Sequence, residues 1–399
     1  MNTIELEDRF GISFCNRQAI AVESGAGSYV WDEAGNKFLD FTSGWGVTCL
    51  GHCHPVITAA IFSQAQKIIQ NPNSGFTYSP SRAKLLSTLQ GLLPPQLVKL
   101  FFANSGAEAN DAAIKLARKI TGKVKIVSTL GSFHGRTFNT LSVSAGRDNT
   151  EKYLPCLPEN EFVGFGDSVA MCRAVDSTTA AVIVEPVQGE GGVRIPEPGY
   201  LAQVAEICRE HNALLIVDEI QTGFGRTGAF FALEHSDPPV EPDILTMGKG
   251  IAGGFPFAAF AVTEQINSRI QKGDHGGTYC GNPLGCAVAA SVVTELKEQN
   301  LSRRSHRMGL ELLGGLTGLQ IKYPEILAGV RGKGLLCALQ FTSDNYVDML
   351  TQICLDSGLL ITPTRNKIVR LIPSLLVSMD EIREALMILD ESLVRVMGN

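Results

Sequence analysis

The stretch "LLIVDEIQTGFGRTG" (residues 214–228) decides how the chain is interpreted. Its aliphatic run ends in Asp218 and Glu219, a pattern typical of a buried strand that delivers an acidic group to the edge of a sheet. The glycines that follow fit the G-x-G-x-x-G pattern, which in dinucleotide-binding folds opens a helix directly. Here the chain continues as "AFFALEHS" (229–236). We therefore interpret the glycine segment as the loop that leaves the strand.

Similar apolar runs alternate with helical patterns through the middle of the chain. Besides the run at 214–220, strands are predicted at 98–103, 124–129, 180–186, 243–248 and 257–263. Amphipathic helices are predicted at 107–120 and 199–212. Strands that are apolar on both faces and joined by helices indicate an α/β fold, with a mostly parallel sheet covered by helices.

The pattern changes towards the C-terminus and indicates a second, smaller α+β domain. A long helical stretch leads to β-rich segments at 330–341 and 368–376, and a helix closes the chain. The segment 27–41 resembles two strands around a turn, and we expect it to pack with this domain. The predicted large domain covers residues 46–285, and the small domain combines 1–45 with 286–399.

Composition and charge exclude several classes of function. The 399 residues are 44% hydrophobic and 19% charged, as in an ordinary globular protein of two domains. A net charge of −6 without a basic stripe argues against a nucleic-acid partner, and no apolar run approaches the length of a membrane span. Ten scattered cysteines without a C-x-x-C pair indicate reduced thiols in the cytoplasm. The cluster "CLGHCHP" (49–55) lacks a second ligand pair, so no metal site is predicted.

Ionisable residues end several of the predicted strands. Because the carboxyl ends of parallel strands meet at one edge of a sheet, we expect these residues to lie close together. One strand-end charge alone would be interpreted as facing solvent, but three beside a glycine-containing helix start indicate a site. The set consists of the helix start Ser105, Gly106 and Ala107 and the strand-end residues Glu185, Asp218 and Lys249.

These residue types suit pyridoxal 5'-phosphate as a cofactor. A lysine in an apolar pocket loses its charge readily and forms a Schiff base with an aldehyde. The Asp218 carboxylate would keep the pyridine nitrogen protonated, so that the ring accepts electrons from a carbanion. A glycine-containing helix start binds phosphate through its N–H groups and dipole. Ile220 would pack on the ring, and Gln221 would donate to the phenolic oxygen.

Six motifs, in this order, resemble those of the class III aminotransferases. They are "NSGAEAN" (104–110), "FHGRT" (133–137), "EPVQGEGG" (185–192), "VDEIQTGFGRTG" (217–228), "GKGIAGGFP" (248–256) and "GTYCGNPLG" (277–285). The resemblance spans about residues 20–375 and points to the acetylornithine and ornithine aminotransferase branch. It implies a fold-type-I pyridoxal phosphate transferase that forms a homodimer with shared active sites.

The resemblance also implies cofactor roles for individual residues. Lys249 would be the Schiff-base lysine, and Phe133 would stack on the ring face opposite Ile220. The phosphate would be bound by the helix start at Ser105 and by the partner subunit's Thr278. The predicted cofactor-binding set is Ser105, Gly106, Ala107, Phe133, Glu185, Asp218, Ile220, Gln221, Lys249 and Thr278, with Lys249 and Asp218 as catalytic residues.

Three further residues resemble substrate-binding groups of that family. Arg136 resembles the arginine that holds the α-carboxylate of an ornithine-type donor, and Arg370 the arginine that binds the α-carboxylate of 2-oxoglutarate. Glu190 resembles the glutamate that pairs with that second arginine while the donor is bound. The alternative for both arginines is a surface ion pair without a substrate role.

Three residues depart from the acetylornithine pattern on the predicted donor side. Cys15 stands where a tyrosine is usual, Trp45 where a small aliphatic residue or a tyrosine is usual, and Gly277 where a serine is usual. The resemblance favours acetylornithine as the donor and 2-oxoglutarate as the acceptor. Ornithine, lysine, 4-aminobutyrate or a diamine are alternative donors. A mutase, epimerase or decarboxylase of the same fold, or a nicotinamide oxidoreductase, are alternative enzymes.

Overall fold

A seven-stranded sheet forms the centre of the protein in the computed structural model, which describes residues 1–144, 153 and 160–398. The six strands predicted from the sequence all lie in it, and its last five strands in the spatial order given next are paired in parallel, which confirms the α/β fold. In spatial order the strands are β4 (Leu97–Ala103), β10 (Ala258–Thr263), β9 (Ile244–Met247), β8 (Leu214–Asp218), β7 (Thr179–Val184), β5 (Lys125–Thr129) and β6 (Asn160–Val163).

Strand β10 runs antiparallel to both of its neighbours, β9 and β4. The connection from β9 to β10 holds one 3₁₀ turn at Lys249–Ala252 and is too short for the crossover that a parallel pair needs. Since β10 is antiparallel to both neighbours, β4 and β9 point the same way. The carboxyl ends of β4, β7, β8 and β9 therefore share one edge of the sheet.

The central sheet is covered on both faces. Alternate residues of β7 enter two separate apolar clusters, with Val182 and Val184 in one and Ala181 and Ile183 in the other. All six residues of β7 are buried, which explains why this strand is apolar on both faces. The edge strand β6, in which only Val163 is buried, was missed from the sequence because its four residues, "NEFV", carry two polar side chains.

Helices of very different lengths surround the three sheets. Their bounds are α1 (Thr3–Phe10), α2 (Ser43–Gly46), α3 (Pro55–Ala65), α4 (Pro80–Gln90), α5 (Gly106–Thr121), α6 (Phe138–Ser142), α7 (Ser168–Ala174), α8 (Tyr200–Glu210), α9 (Glu264–Asn267), α10 (Pro283–Glu298), α11 (Leu301–Lys322), α12 (Asp344–Asp356) and α13 (Met379–Gly398). Within the described ranges, no helix is long and apolar enough to cross a membrane.

Two four-stranded sheets lie outside the central one. The first contains β1 (Val22–Ala26), β2 (Tyr29–Asp32), β3 (Lys37–Asp40) and β13 (Leu359–Leu360), and the second contains β11 (Leu327–Lys333), β12 (Leu336–Phe341), β15 (Ile368–Leu371) and β14 (Thr362–Thr364). The N-terminal strand β3 pairs with the C-terminal strand β13, and Tyr29 Oη donates to Glu384 of α13 (2.8 Å). The predicted packing of the N-terminal segment on the C-terminal region is therefore confirmed.

The domain limits taken from the sequence stay a prediction. The limit between residues 285 and 286 falls inside α10, which packs against α3 and α4.

The nine cysteines in the part of the chain that the structure describes are free thiols, and Cys156 lies outside it. In the "CLGHCHP" segment, His52 Nε2 lies 2.8 Å from Asp40 Oδ2, while His54 Nδ1 accepts from the Val56 N–H.

Candidate active site

Asp218 ends β8 as a buried carboxylate with three hydrogen-bond partners. Its Oδ2 accepts from Asn110 Nδ2 (2.7 Å) and lies 2.7 Å from His134 Nδ1. Its Oδ1 accepts from the Ile220 N–H (3.0 Å). Asn110 is oriented in turn by Thr246, whose hydroxyl donates to Asn110 Oδ1 (2.7 Å). The carboxylate is therefore held in one orientation at the carboxyl edge of the sheet.

Lys249 follows β9 at the same edge, in a left-handed backbone conformation with φ of 45°. Such a conformation costs about 1–3 kcal/mol outside glycine and occurs mainly where neighbouring structure enforces it. Burial lowers the pKa of its ammonium from 10.5 to about 8, against the opposing effect of Glu190. Among the described residues, none forms a hydrogen bond with the Lys249 Nζ atom. A buried lysine with a lowered pKa and no hydrogen-bond partner is prepared to act as a nucleophile or base.

The N-terminus of α5 reaches the same edge after β4. The Ser105 hydroxyl accepts from the Glu108 N–H (3.2 Å), which begins the helix. A side chain at Gly106 is excluded, because its Cβ would lie 2.8 Å from Ile220. Close contact between Gly106 and Ile220 therefore places the helix start directly beside the segment that follows Asp218. The unpaired N–H groups of such a helix start, together with its dipole, bind anions.

Glu185 follows β7 and is buried against backbone N–H groups. Its Oε2 accepts from the Phe133 N–H (3.2 Å) and its Oε1 from the Gly189 N–H (3.4 Å). Burial raises the pKa of this carboxyl to about 7. Glu185 thus joins the loop that carries Phe133 to the loop that carries Glu190.

Arg370 lies on β15 with a fully buried side chain. Its Nη2 donates to Glu190 Oε1 (2.8 Å) and its Nη1 donates to Gln221 Oε1 (3.2 Å). The Glu190 side chain is 29% exposed, whereas that of Arg370 is 0% exposed. This pair therefore joins a fixed cation to a carboxylate that borders solvent, which differs from the surface ion pair considered as an alternative.

Arg136 lies between two aromatic rings. Its guanidinium carbon is 5.6 Å from the centre of the Phe133 ring and 5.9 Å from that of Trp45. The Trp45 carbonyl accepts from Gln221 Nε2 (3.3 Å), which connects this group to Arg370. A cavity of about 480 Å³ borders Phe133 and Glu190 from the outer side, and its lining does not include Lys249, Asp218 or Arg370.

Three predicted residues lie outside this cluster. Cys15 is exposed in the N-terminal segment. Gly277 and Thr278 lie on an exposed segment, where the Thr278 carbonyl accepts from the Gln70 side chain and the Ser74 hydroxyl. The roles given to these three residues stay predictions.

His134 and Asn110 were missed in the sequence, although both lie inside quoted motifs. His134 adjoins Phe133 in "FHGRT", and Asn110 ends "NSGAEAN". Both are buried and both contact the same Asp218 oxygen. The polar residues inside these motifs are a signal that could have found them, because a polar group that becomes buried needs a hydrogen-bond partner.

The cluster fits pyridoxal phosphate. Asp218 offers a buried carboxylate, Lys249 a buried amine without a hydrogen-bond partner in the described ranges, and the start of α5 an anion site. Glycine at position 106 avoids the contact of 2.8 Å that a Cβ atom there would make with Ile220. The glycine segment that follows β8 forms turns over residues 220–227 and bends over 228–231, which confirms its interpretation as a loop.

Comparisons with known proteins agree with this geometry. Residues 14–393 match the aminotransferase class-III family. The acetylornithine aminotransferase of Methanopyrus kandleri is 40% identical over 98% of this chain and 99% of its own length. The mitochondrial ornithine aminotransferase of Rattus norvegicus is 38% identical over 98% of this chain and 90% of its own length. The solved ornithine aminotransferase of Toxoplasma gondii superposes with a TM-score of 0.93 at 32% identity, covering 99% of this chain and 95% of that one. The chain therefore belongs to the class III aminotransferases, a family of pyridoxal-phosphate-dependent enzymes.

Proposed function

We propose that this enzyme transfers the terminal amino group of an ornithine-type amino acid to 2-oxoglutarate, giving a semialdehyde and glutamate. Acetylornithine is the first donor that we propose, since relatives such as that of Methanopyrus kandleri are named for it. The observation that carries the proposal is the pair of buried Arg370 with partly exposed Glu190. Such a pair is useful when two substrates of different charge alternate in one pocket.

We propose that pyridoxal phosphate binds at the carboxyl edge of the central sheet. Bound there, it would supply an electron sink for a substrate carbanion. Asp218 would face its ring nitrogen, and the start of α5 would bind its phosphate. Phe133 and Ile220 would pack on opposite faces of the ring, while Gln221 would donate to the phenolic oxygen and Glu185 would hold the Phe133 loop.

Lys249 would move the proton in each half of the reaction. Because burial lowers the pKa of its ammonium to about 8, a much larger fraction is neutral near pH 7 than for a lysine with the ordinary pKa of 10.5. The neutral Nζ would take a proton from the carbon that carries the donor amine and return it on the other side of the amine nitrogen, a 1,3 shift. Since two substrates are handled in turn, the kinetics should be ping-pong.

Glu190 and Arg370 would act as a switch between the two substrates. Leaving the buried Arg370 unpaired would cost about 3–5 kcal/mol, so a carboxylate has to face it in each half-reaction. With the donor bound, Glu190 fills this role, as it does in the structure. With 2-oxoglutarate bound, the α-carboxylate of the substrate would take its place, and Glu190 can turn towards solvent.

Removing Arg370 should separate the two half-reactions. Arg370→Ala should lower kcat/KM for 2-oxoglutarate on the order of 10²-fold or more, because a buried charged partner of the substrate is lost. The donor half-reaction should change much less. Single-turnover absorbance changes measure each half. Arg304→Ala is the control, because it removes an arginine that bonds to backbone carbonyls and not to a carboxylate. Equal losses in both halves for Arg370→Ala would contradict the division of roles.

Removing Glu190 should change the preference among amino donors. Glu190→Ala leaves Arg370 without its carboxylate in the absence of substrate, so dicarboxylate donors such as glutamate should gain relative to acetylornithine. The measurement is the ratio of the two donor half-reaction rates. An unchanged ratio would show that Glu190 has no part in the switch.

We propose that the enzyme forms a homodimer through the face that carries Thr278. Tyr279 is 66% exposed and Phe76 is 95% exposed, beside the Ser74 that bonds to the Thr278 carbonyl. Large exposed apolar side chains grouped in this way mark interaction surfaces. The partner subunit's Thr278 would then reach the phosphate of the neighbouring site.

We also propose a cytoplasmic location, because free thiols suit a reducing compartment.

The donor side should tolerate several terminal amines. Trp45 supplies an apolar wall, which distinguishes one methylene by only about 1–3 kcal/mol, whereas Arg136 selects for a carboxylate. We expect comparable kcat/KM for acetylornithine, ornithine, lysine and 4-aminobutyrate, and poor use of a carboxylate-free diamine. The measurement is glutamate formation from each donor, which also tests the proposed reaction itself. A single steep preference for acetylornithine would show that Cys15, Trp45 and Gly277 are neutral departures, and efficient use of the diamine would remove Arg136 from its role.

A further inference from the structure

The turn α2, which carries Trp45, is left-handed over four successive residues. The φ angles are 44° at Ser43, 56° at Gly44, 65° at Trp45 and 86° at Gly46. Glycine adopts such angles readily, but side chains at Ser43 and Trp45 make the same conformation unfavourable. A serine and a tryptophan in one left-handed turn therefore need external contacts that hold the turn in place.

Asp40 supplies those contacts from the end of β3. Its Oδ1 accepts from the Thr42 N–H (2.7 Å), the Thr42 hydroxyl (2.7 Å) and the Ser43 N–H (3.0 Å). Its Oδ2 lies 2.8 Å from His52 Nε2. Asp40 is 5% exposed, so these contacts are shielded from competing water.

His52 is itself fixed by the N-terminal strand region. Its backbone forms two hydrogen bonds with that of Gly27, at 2.8 and 3.1 Å. A Cβ atom at position 25 would lie 2.7 Å from the Cβ of His52, so only glycine fits at position 25. The ring is therefore held against Asp40 by the N-terminal strand region.

The turn determines where two parts of Trp45 point. The carbonyl accepts from Gln221 Nε2, and the ring faces the guanidinium of Arg136. A right-handed turn of the same residues would direct the tryptophan elsewhere, because its φ and ψ set the direction of both groups. The backbone conformation of α2 therefore determines which side chain borders Arg136.

We propose that Asp40 and His52 are positioning residues that hold α2 in its left-handed form and thereby fix Trp45 as the wall of the donor site. The assignment of Trp45 to the donor site rests on the proposed function, whereas the holding of the turn does not. Neither Asp40 nor His52 touches the substrate in this account. Both act through the position of Trp45.

Tryptophan fluorescence measures the position of Trp45 without any substrate. The chain has two tryptophans, so Trp31→Phe leaves Trp45 as the single emitter. In that background, Asp40→Ala in the purified holoenzyme should shift the Trp45 emission maximum and change its quenching by acrylamide at least twofold. Asp32→Ala is the matched control, because Asp32 bonds to a turn in the same way, with Ala34 and Asn36, at the opposite end of β3. Unchanged emission and quenching in Asp40→Ala would overturn the proposal.

Donor selectivity is the second readout. The ratio of kcat/KM for acetylornithine to that for 4-aminobutyrate should change on the order of tenfold in Asp40→Ala, in the same direction as in Trp45→Ala. A general loss of stability lowers the amount of active enzyme and leaves this ratio unchanged. If Trp45→Ala does not change the ratio, the donor role of Trp45 in the proposed function fails, while the fluorescence result still decides whether Asp40 holds the turn.

Two further variants keep the test decisive if Asp40→Ala does not fold. His52→Ala removes only the contact at Oδ2 and should shift the emission in the same direction by a smaller amount. Ser43→Gly, added to His52→Ala, removes the side chain that opposes φ of 44° and should restore the emission towards that of the parent. No shift in His52→Ala, or no recovery with Ser43→Gly after a shift, would contradict the holding of a strained turn.

Discussion

Replacing Asp218 by alanine should lower transamination by at least about 10²- to 10³-fold, the range found when one preorganised electrostatic contact is removed from an active site. The reason is specific to its position. A buried carboxylate with three protein donors cannot be replaced by water that enters from solvent. Cofactor binding should persist, because the start of α5 and Lys249 do not depend on Asp218. Steady-state rates and the absorbance of the bound cofactor measure the two effects separately.

Two variants separate charge from cavity formation in this experiment. Asp218→Asn keeps the shape of the side chain and removes its charge, so we expect a loss close to that of alanine. Asp243→Asn is the matched control, because Asp243 accepts from the Leu215 N–H at the opposite end of the sheet (2.8 Å). Near-normal turnover in Asp218→Ala would refute the electron-sink argument for this enzyme.

Replacing Lys249 by alanine should lower activity by about 10⁴-fold, the upper end of the effect of losing a general acid–base group.

The wild-type enzyme should also bind the cofactor faster as the pH rises. Since the pKa of the ammonium is lowered to about 8, the neutral amine becomes the main form above that pH, not above 10.5. The rate at which cofactor-free protein takes up pyridoxal phosphate should therefore rise up to about pH 8 and then level off.

Lys125→Met is the control for the lysine experiment. Lys125 is also mostly buried at a strand of the central sheet, but it is paired with Asp176 and the Ala174 carbonyl. Its loss should leave turnover unchanged. Activity in Lys249→Ala within tenfold of wild type, or a rate of uptake that rises only near pH 10, would contradict the role of Lys249.

The sequence predicts the central sheet because local patterns decide it. Strands β7 and β8 are almost entirely apolar, and a carboxylate stands at the end of β8 (Asp218) and directly after β7 (Glu185), a pattern typical of buried strands that lead into a site. The cluster of Asp218 and Lys249 follows from parallel strands, which bring their ends to one edge. The edge strand β6 carries polar residues and forms only through its partner β5, so its sequence does not reveal it.

Contacts between distant segments could not be predicted from the sequence. Asn110 and His134 meet Asp218 across separations of 108 and 84 residues, and a motif does not show which of its polar members turn inward. The left-handed conformation of α2 is equally hidden, since Ser43 and Trp45 adopt it against their own preference. Its cause lies in Asp40, which bonds to the turn from the end of β3.

Chemical labelling of the native enzyme decides whether Lys249 is the residue that binds the cofactor. Borohydride reduction of the purified holoenzyme, followed by proteolysis and mass mapping, should place one pyridoxyl group on the peptide that contains Lys249. Lys125 and the exposed lysines should remain unlabelled. A pyridoxyl group on another lysine, or the absence of any label in a catalytically active preparation, would contradict the assignment of Lys249 and with it the whole account of the site.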